Sequence, residues 1–201
     1  LKTCGIRGFN LTMPNKNKIV ELLDELSPEA QLIGAVNTVL NDNGKLIGYN
    51  TDGYGFMQSV RDAGHDITGK NITVMGVGGA SMAICAQSAL DGAASVHIFA
   101  RRTSRYWNRT QKFAENLSAK TGCQVCLFDN DDHTALRDSI AQSYLLINAT
   151  SVGMVPDIDD TIIKDTSLFH PELVVADVVY EPQETRLLRE AKAAGCQTFN
   201  G

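Results

Sequence analysis

The residues best suited to chemistry lie in Val74-Met75-Gly76-Val77-Gly78-Gly79-Ala80, where an apolar run meets closely spaced glycines. Gly76 can turn the chain where a side chain would clash. Gly78 lets the backbone approach a ligand. From Ala80 to Leu90 the apolar residues Met82, Ala83, Cys85, Ala86, Ala89 and Leu90 predict a helix. A helix that opens directly after a glycine turn aims free N–H groups and a positive dipole end at that point, and a pyrophosphate fits there. The dinucleotide fingerprint asks for a third glycine where this chain has Ser81, so the match is partial.

Roughly 20 residues beyond the glycines, an NAD site offers an acid to the adenosine ribose. Here no Asp or Glu stands between Asp91 and Glu115. Arg101, Arg102, Arg105 and then Arg109 occupy the stretch instead. Arginines at a strand end suit a 2′-phosphate through paired hydrogen bonds. The loop therefore favours NADP, with NAD possible. The competing reading is a solvated basic turn.

Other reactive side chains form no pattern. Cys123 and Cys126 have redox spacing, but residues three apart in a strand face opposite sides, so two buried or half-buried thiols are expected. His65, His97, His133 and His170 fall in separate segments and match no metal site or triad. No metal is expected.

The elements that must position the glycine turn follow from periodicity. Strands are expected at Asn71–Met75, Val96–Ala100, Gln124–Phe128, Tyr144–Asn148, Leu173–Asp177 and Gln197–Phe199. Helices are expected at Ala80–Leu90, Trp107–Lys120, Thr134–Ser143 and Gln183–Ala194. Such alternation implies right-handed crossovers and a parallel sheet covered on both faces. The expected fold is α/β: a doubly wound, Rossmann-like domain over 68–201, with its ligand past the carboxyl ends of the strands. Residues 1–67 read as part of a smaller α/β domain. It has a strand at Gly5–Leu11, then a helix started by Pro14 with Ile19, Val20, Leu22, Leu23 and Leu26 on its buried face. The hairpin Ala35–Asn41, Asp42-Asn43-Gly44, Lys45–Tyr49 follows, then a helix opened by Thr51-Asp52-Gly53. The domain boundary falls near Ile67.

Composition narrows the function. The 201 residues are 43% hydrophobic and 20% charged, as in ordinary globular proteins. The net charge of -5 argues against general affinity for nucleic acid or anionic membrane. No apolar run approaches the roughly 18 residues of a membrane span. Five scattered cysteines without a framework suit a reduced, cytoplasmic setting.

Several long motifs occur in order: Gly8-Phe9-Asn10-Leu11-Thr12-Met13-Pro14-Asn15-Lys16, Gly34-Ala35-Val36-Asn37-Thr38 and Gly48-Tyr49-Asn50-Thr51-Asp52-Gly53. Then come the glycine turn, Asn148-Ala149-Thr150-Ser151-Val152-Gly153-Met154 and Asp177-Val178-Val179-Tyr180-Glu181-Pro182. Together they resemble the shikimate dehydrogenase family, and the branch that also handles quinate is similar. The resemblance implies a two-domain, metal-free oxidoreductase of the pathway to chorismate and aromatic amino acids. It would exchange a hydride between NADP(H) and the ring alcohol or ketone of shikimate or quinate, in the cleft, as a monomer or homodimer.

By the same resemblance Lys16 and Asp52 are the catalytic pair, and Thr12 and Asn37 bind ring hydroxyls. The residue types suit the chemistry, because removing a hydride from a secondary alcohol needs a base beside the hydroxyl. Gly76, Gly78, Gly79, Ala80, Arg101, Arg102 and Arg105 are the expected cofactor contacts. Thr150, Val152 and Met154, at the carboxyl edge of a strand, are expected near the nicotinamide, and Tyr180 as a wall of the substrate pocket. The dual-cofactor branch commonly carries an acid where this chain has Thr103, which again favours NADP.

The chain does not begin with Met and stops just after an apparent strand. Segments that hold the substrate carboxylate in relatives are therefore expected to be missing at both ends. A non-catalytic, quinate- or shikimate-responsive nucleotide-binding regulator is the alternative, and the presence of both Lys16 and Asp52 argues for the enzyme.

Overall fold

The four inner strands of the larger sheet are apolar almost throughout, which only a doubly covered sheet permits. The computed structural model describes residues 5–201. The larger sheet contains β5 (Asn71–Met75), β6 (Ser95–Ala100), β7 (Gln124–Asp129), β8 (Leu145–Asn148), β9 (Val174–Asp177) and β10 (Gln197–Asn200). They lie in the order β10-β9-β8-β5-β6-β7, and every pairing is parallel. The strand order reverses between β5 and β8, the crevice where a doubly wound sheet takes its ligand. Helices α3 (Gly79–Leu90), α4 (Trp107–Thr121), α5 (His133–Gln142) and α6 (Arg186–Ala193) make the crossovers. The expected strands and helices of this half are all present, with ends moved by three residues or fewer. The expected α/β, Rossmann-like class holds.

The first part forms a smaller sheet in the order β1-β3-β4-β2. Its strands are β1 (Gly8–Asn10), β2 (Glu25–Leu26), β3 (Thr38–Asp42) and β4 (Lys45–Tyr49). The β3–β4 hairpin turns at Asn43 and Gly44, with φ of 51° and 93°. That pair of positive values matches the twist of the flanking strands.

Two expectations fail here. No α-helix follows Pro14: Lys16 lies in a turn, Lys18–Leu22 is a short 3-10 helix, and Leu26 is in β2. Leu22, assigned to a buried face, is 71% exposed. The cause is tertiary. Gly48 in β4 leaves a gap, and a Cβ there would sit 2.5 Å from Leu23 and 3.0 Å from Leu26. Those leucines pack onto the sheet instead of lining a helix. The helix of this region is α1 (Pro28–Ile33), which was not expected. Ser27 caps it by accepting a hydrogen bond from the Ala30 N–H, Pro28 occupies its first turn, and Gly34 ends it at φ 67°. It also displaces the start of β3 from Ala35 to Thr38.

Helix α2 (Asp52–Asp62) belongs by packing to the larger unit. Its Phe56, Met57 and Val60 share one core with Ile72, Val74 and Ile84. A second core, with Phe99, Ile140, Leu146 and Val175, covers the other face of the sheet. Among the described residues, no helix is long and apolar enough to cross a membrane.

A polar seam joins α5 to the sheet. Thr73 and Ser143 hydroxyls meet at 2.6 Å, and His97 Nδ1 meets the Ser139 hydroxyl at 2.9 Å. Burial depresses the His97 pKa. The unfolded chain therefore takes up this proton at higher pH than the folded one. Stability from this group is intact above the ordinary imidazole pKa of about 6.5 and is lost as pH falls below it. His97→Gln keeps a polar group for Ser139 but cannot titrate. Urea unfolding at about pH 7.5 and about pH 5.5 should show a smaller loss of stability in the variant than in the wild type.

Candidate active site

β5 ends in a turn that requires glycine. Gly76 has φ 111°, and a Cβ there would lie 2.8 Å from both the Ala149 carbonyl oxygen and the Thr150 side chain. The strand pair at the switch point is thus closed without a side chain between its ends. Ser81, in place of the third fingerprint glycine, is fully buried and donates its hydroxyl to the Gly76 carbonyl at 2.6 Å. The departure from the fingerprint therefore ties the helix back to the turn.

Helix α3 opens at Gly79 with no side-chain cap. Its first-turn N–H groups are available to an anion. At Gly78 and Gly79 a Cβ would meet nothing within 4 Å, so the backbone there is open to a ligand. A groove of about 1050 Å³ runs over this turn, lined by Gly76, Gly78, Gly79, Ala80, Arg101 and Arg105. Thr150, Val152, Met154 and Tyr180 also line it. The open turn, the free helix start and the arginines fit a phosphorylated dinucleotide.

The arginines divide. Arg101 and Arg105 line the groove, and Arg105 donates to the Tyr106 hydroxyl at 2.6 Å. Arg102 stacks on Trp107, 4.7 Å from the ring centroid, and does not line the groove. Arg109 lines a small cavity with Lys16, Asp52, Gly78 and Gly79.

Lys16 and Asp52, 36 positions apart in sequence, meet at 2.5 Å between Nζ and Oδ2. The Lys16 carbonyl accepts the Val36 N–H at 2.8 Å, which anchors the lysine turn to the small lobe. Asp52 lies in the first turn of α2, where the helix dipole favours a carboxylate. Its other oxygen accepts from Asn37 Nδ2 at 2.7 Å. Asn37 is nearly buried, and its amide also donates to Thr51 and accepts from the Thr51 N–H and the Thr38 hydroxyl. Its polar atoms are thus engaged within the protein, the structural role that an asparagine at a strand end also allows. Thr12 stands on the exposed turn leading to Lys16. A cavity of about 350 Å³ is lined by Lys16, Asp52, Phe56, Ala80, Val178 and Gly201. Tyr180 faces the groove rather than this cavity.

Sequence reasoning missed the residues that hold the two loops at the carboxyl edge. Asn148 and Asp177 end neighbouring strands in register. Asn148 donates to Asp177 at 2.9 Å and to the Val152 carbonyl at 3.1 Å, and it accepts from the Thr150 N–H and hydroxyl. The polar residue types at two strand ends were the available signal.

The chain resembles known proteins along its full length. Residues 1–39 match the family model of the shikimate dehydrogenase substrate binding domain. A shikimate dehydrogenase (NADP(+)) of Listeria innocua is 50% identical over 200 residues, covering 100% of this chain and 68% of that protein. The chain belongs to the shikimate dehydrogenase family. A quinate/shikimate dehydrogenase of Escherichia coli is 42% identical over 201 residues, which is 69% of its length. The crystal structure of shikimate 5-dehydrogenase from Listeria monocytogenes, in complex with shikimate and NAD, superposes with a TM-score of 0.97. It is 48% identical and is covered to 69%, against 100% of this chain.

In this family member the position of Asp52 depends on its neighbour. A Cβ on Gly53 would lie 2.2 Å from the Ala83 carbonyl oxygen of α3, whereas one on Gly55 would meet nothing within 4 Å. Gly53→Ala should force α2 off α3 and cost about 1–3 kcal/mol in denaturant unfolding. Gly55→Ala should leave stability equal or raised by up to about 1 kcal/mol, because alanine suits a helix interior better.

Proposed function

We propose that the protein is a shikimate dehydrogenase that prefers NADP, oxidising the ring alcohol of shikimate or quinate and reducing the ketone. The observation that carries this is the meeting of two spaces. The groove over the glycine turn and the cavity holding Lys16 and Asp52 share Ala80 and Val178 as walls. When bound, the dinucleotide supplies the hydride acceptor, and that junction is where a nicotinamide and a ring carbon can touch.

The residues then have defined tasks. In oxidation, the C–H bond breaks toward the nicotinamide, the C=O bond forms, and the hydroxyl proton passes to the uncharged Lys16 amine. In reduction Lys16 returns that proton. Asp52 aims the amine through the 2.5 Å contact and balances its charge when protonated. Asn37 orients Asp52, which is compatible with a further contact to substrate as the ring arrives. Arg101 and Arg105 are the groove's candidates for the 2′-phosphate. The reading places the enzyme in the cytoplasm. It is supported there by Cys85, Cys123, Cys126 and Cys196, which are free thiols. Burial pushes the Cys85 and Cys123 pKa values up to about 12 and about 11, so neither is a ready thiolate.

Steady-state kinetics test the assignment. Lys16→Ala should lower kcat by about 10²–10⁴ while leaving NADP binding unchanged. Asp52→Asn should also slow turnover, and the double variant should be little worse than the worse single one, because the pair acts as a unit. Near-normal kcat with only shikimate KM raised would make Lys16 a binding residue. A separate comparison addresses the cofactor. NADP should give the higher kcat/KM, and Arg101→Ala should erode that preference by about 1–3 kcal/mol while sparing NAD. A wild type that favours NAD would overturn the preference.

A further inference from the structure

Two asparagines stand at strand ends along the carboxyl edge of the large sheet, and only one is used by the protein. Asn148, at the end of β8, engages both the oxygen and the nitrogen of its amide. Asn130 follows β7 directly. Its Oδ1 is buried without a hydrogen-bond partner, and its side chain makes no hydrogen bond among the described residues. Two other buried oxygens there lack a partner, on Glu190 and Asn200. Both belong to groups whose other atom is held. Arg186 Nε donates to Glu190 Oε1 at 2.7 Å, and Asn200 Nδ2 donates to the Gln183 carbonyl at 2.8 Å. Neither of those residues lines the groove over the glycine turn, whereas Asn130 does.

A buried acceptor left without a donor is costly, so an idle amide in a groove wall calls for a partner from outside the protein. Because nothing holds it, the amide can turn about its Cβ–Cγ bond and present its oxygen or its nitrogen to the groove. The strand order says which part of a dinucleotide lies there. Strands β5, β6 and β7 are neighbours in that order, each step about 4.8 Å. Asp129, the last residue of β7, is in register with Ala100, and the Asn130 N–H donates to the Ala100 carbonyl at 2.9 Å. Asn130 is thus fixed beside the start of the arginine loop. With the phosphates on the glycine turn after β5, the ribose that carries the 2′-phosphate lies at the end of β6, with Arg101. The next strand end outward is that of Asn130, and the next group outward on the ligand is the base. Adenine shows an amino donor beside a ring-nitrogen acceptor, and a carboxamide shows the complement of that edge.

We propose that Asn130 is the base-reading residue of the groove: its carboxamide accepts from the exocyclic amine of the adenine and donates to the neighbouring ring nitrogen. The inference rests on the dinucleotide reading of the groove. It gives Asn130 a contact with the cofactor and none with the substrate, and it adds no bond-making step. The ligand feature it recognises is a purine with a free 6-amino group, independent of the 2′ substituent that Arg101 and Arg105 face.

The 1,N6-ethenoadenine analogue of NADP provides the test. Its bridge removes both amine hydrogens and closes N1, while the phosphates, riboses and nicotinamide stay as they are. NADP and the analogue are each titrated by calorimetry into the wild type and Asn130→Ala. The substitution breaks no side-chain hydrogen bond within the protein, so the variant should fold as the wild type does. The wild type should hold the analogue about three- to tenfold more weakly than NADP, the worth of one or two neutral hydrogen bonds. Asn130→Ala should lose that same factor for NADP and nothing further for the analogue, so that it binds the two alike. Equal affinity of the wild type for both ligands would overturn the proposal. So would a variant that keeps the wild-type preference for NADP. A variant that holds NADP as before and gains affinity for the analogue would mark simple steric exclusion, and would overturn it too. A wild type that binds neither ligand would overturn the dinucleotide site itself, and this inference with it.

Discussion

The site depends on one close approach of backbone to backbone. Helices α2 and α3 cross at Gly53, where even a methyl group would fall 2.2 Å from the Ala83 carbonyl oxygen. The residue before Gly53 is Asp52, in the first turn of α2. A few residues before Ala83 lies the glycine turn that opens α3. The crossing therefore sets the distance between the carboxylate of the ion pair and the place where a dinucleotide can lie. Packed cores transmit such constraints with little give, because they are as dense as organic crystals. Phe56, Met57 and Val60 seal the crossing into the core shared with the central strands.

Around that crossing, polar side chains are used to capacity. Asn37 and Asn148 each serve donors and acceptors at once, one in each lobe. An asparagine amide so surrounded has a fixed orientation and holds loops as firmly as regular structure does. Asn37 links Asp52 to the small sheet. Asn148 joins the ends of β8 and β9 to the loop that carries Thr150 and Val152.

What could be read from the sequence follows from the range of the physics involved. Between Asn71 and Asn200 the alternation of buried strands and amphipathic helices is local, so element types and order were legible. The glycine turn was legible for the same reason, since φ 111° at Gly76 is a local demand. The stretch from Pro14 to Leu26 was not, because its apolar residues serve a 3-10 turn and a two-residue strand whose shape Gly48 dictates from across the sheet. Helix α1 has cap, proline and terminal glycine in place, yet it is too short for a period to show. The Lys16–Asp52 pairing came from likeness to a family, not from spacing. The roles of Asn148 and Asp177 needed the strand order, since only neighbours in register bring the two together.

The way Asp52 is held has a mechanical meaning. Lys16 and Asn37 grip its carboxylate from the small lobe, while Gly53 welds its backbone to the large one. A rotation of one lobe against the other would turn about this residue, as a door turns about its pin. Points far from the pin would sweep the widest arc, while the amine and carboxylate stayed together. The cleft would then widen without parting Lys16 from Asp52.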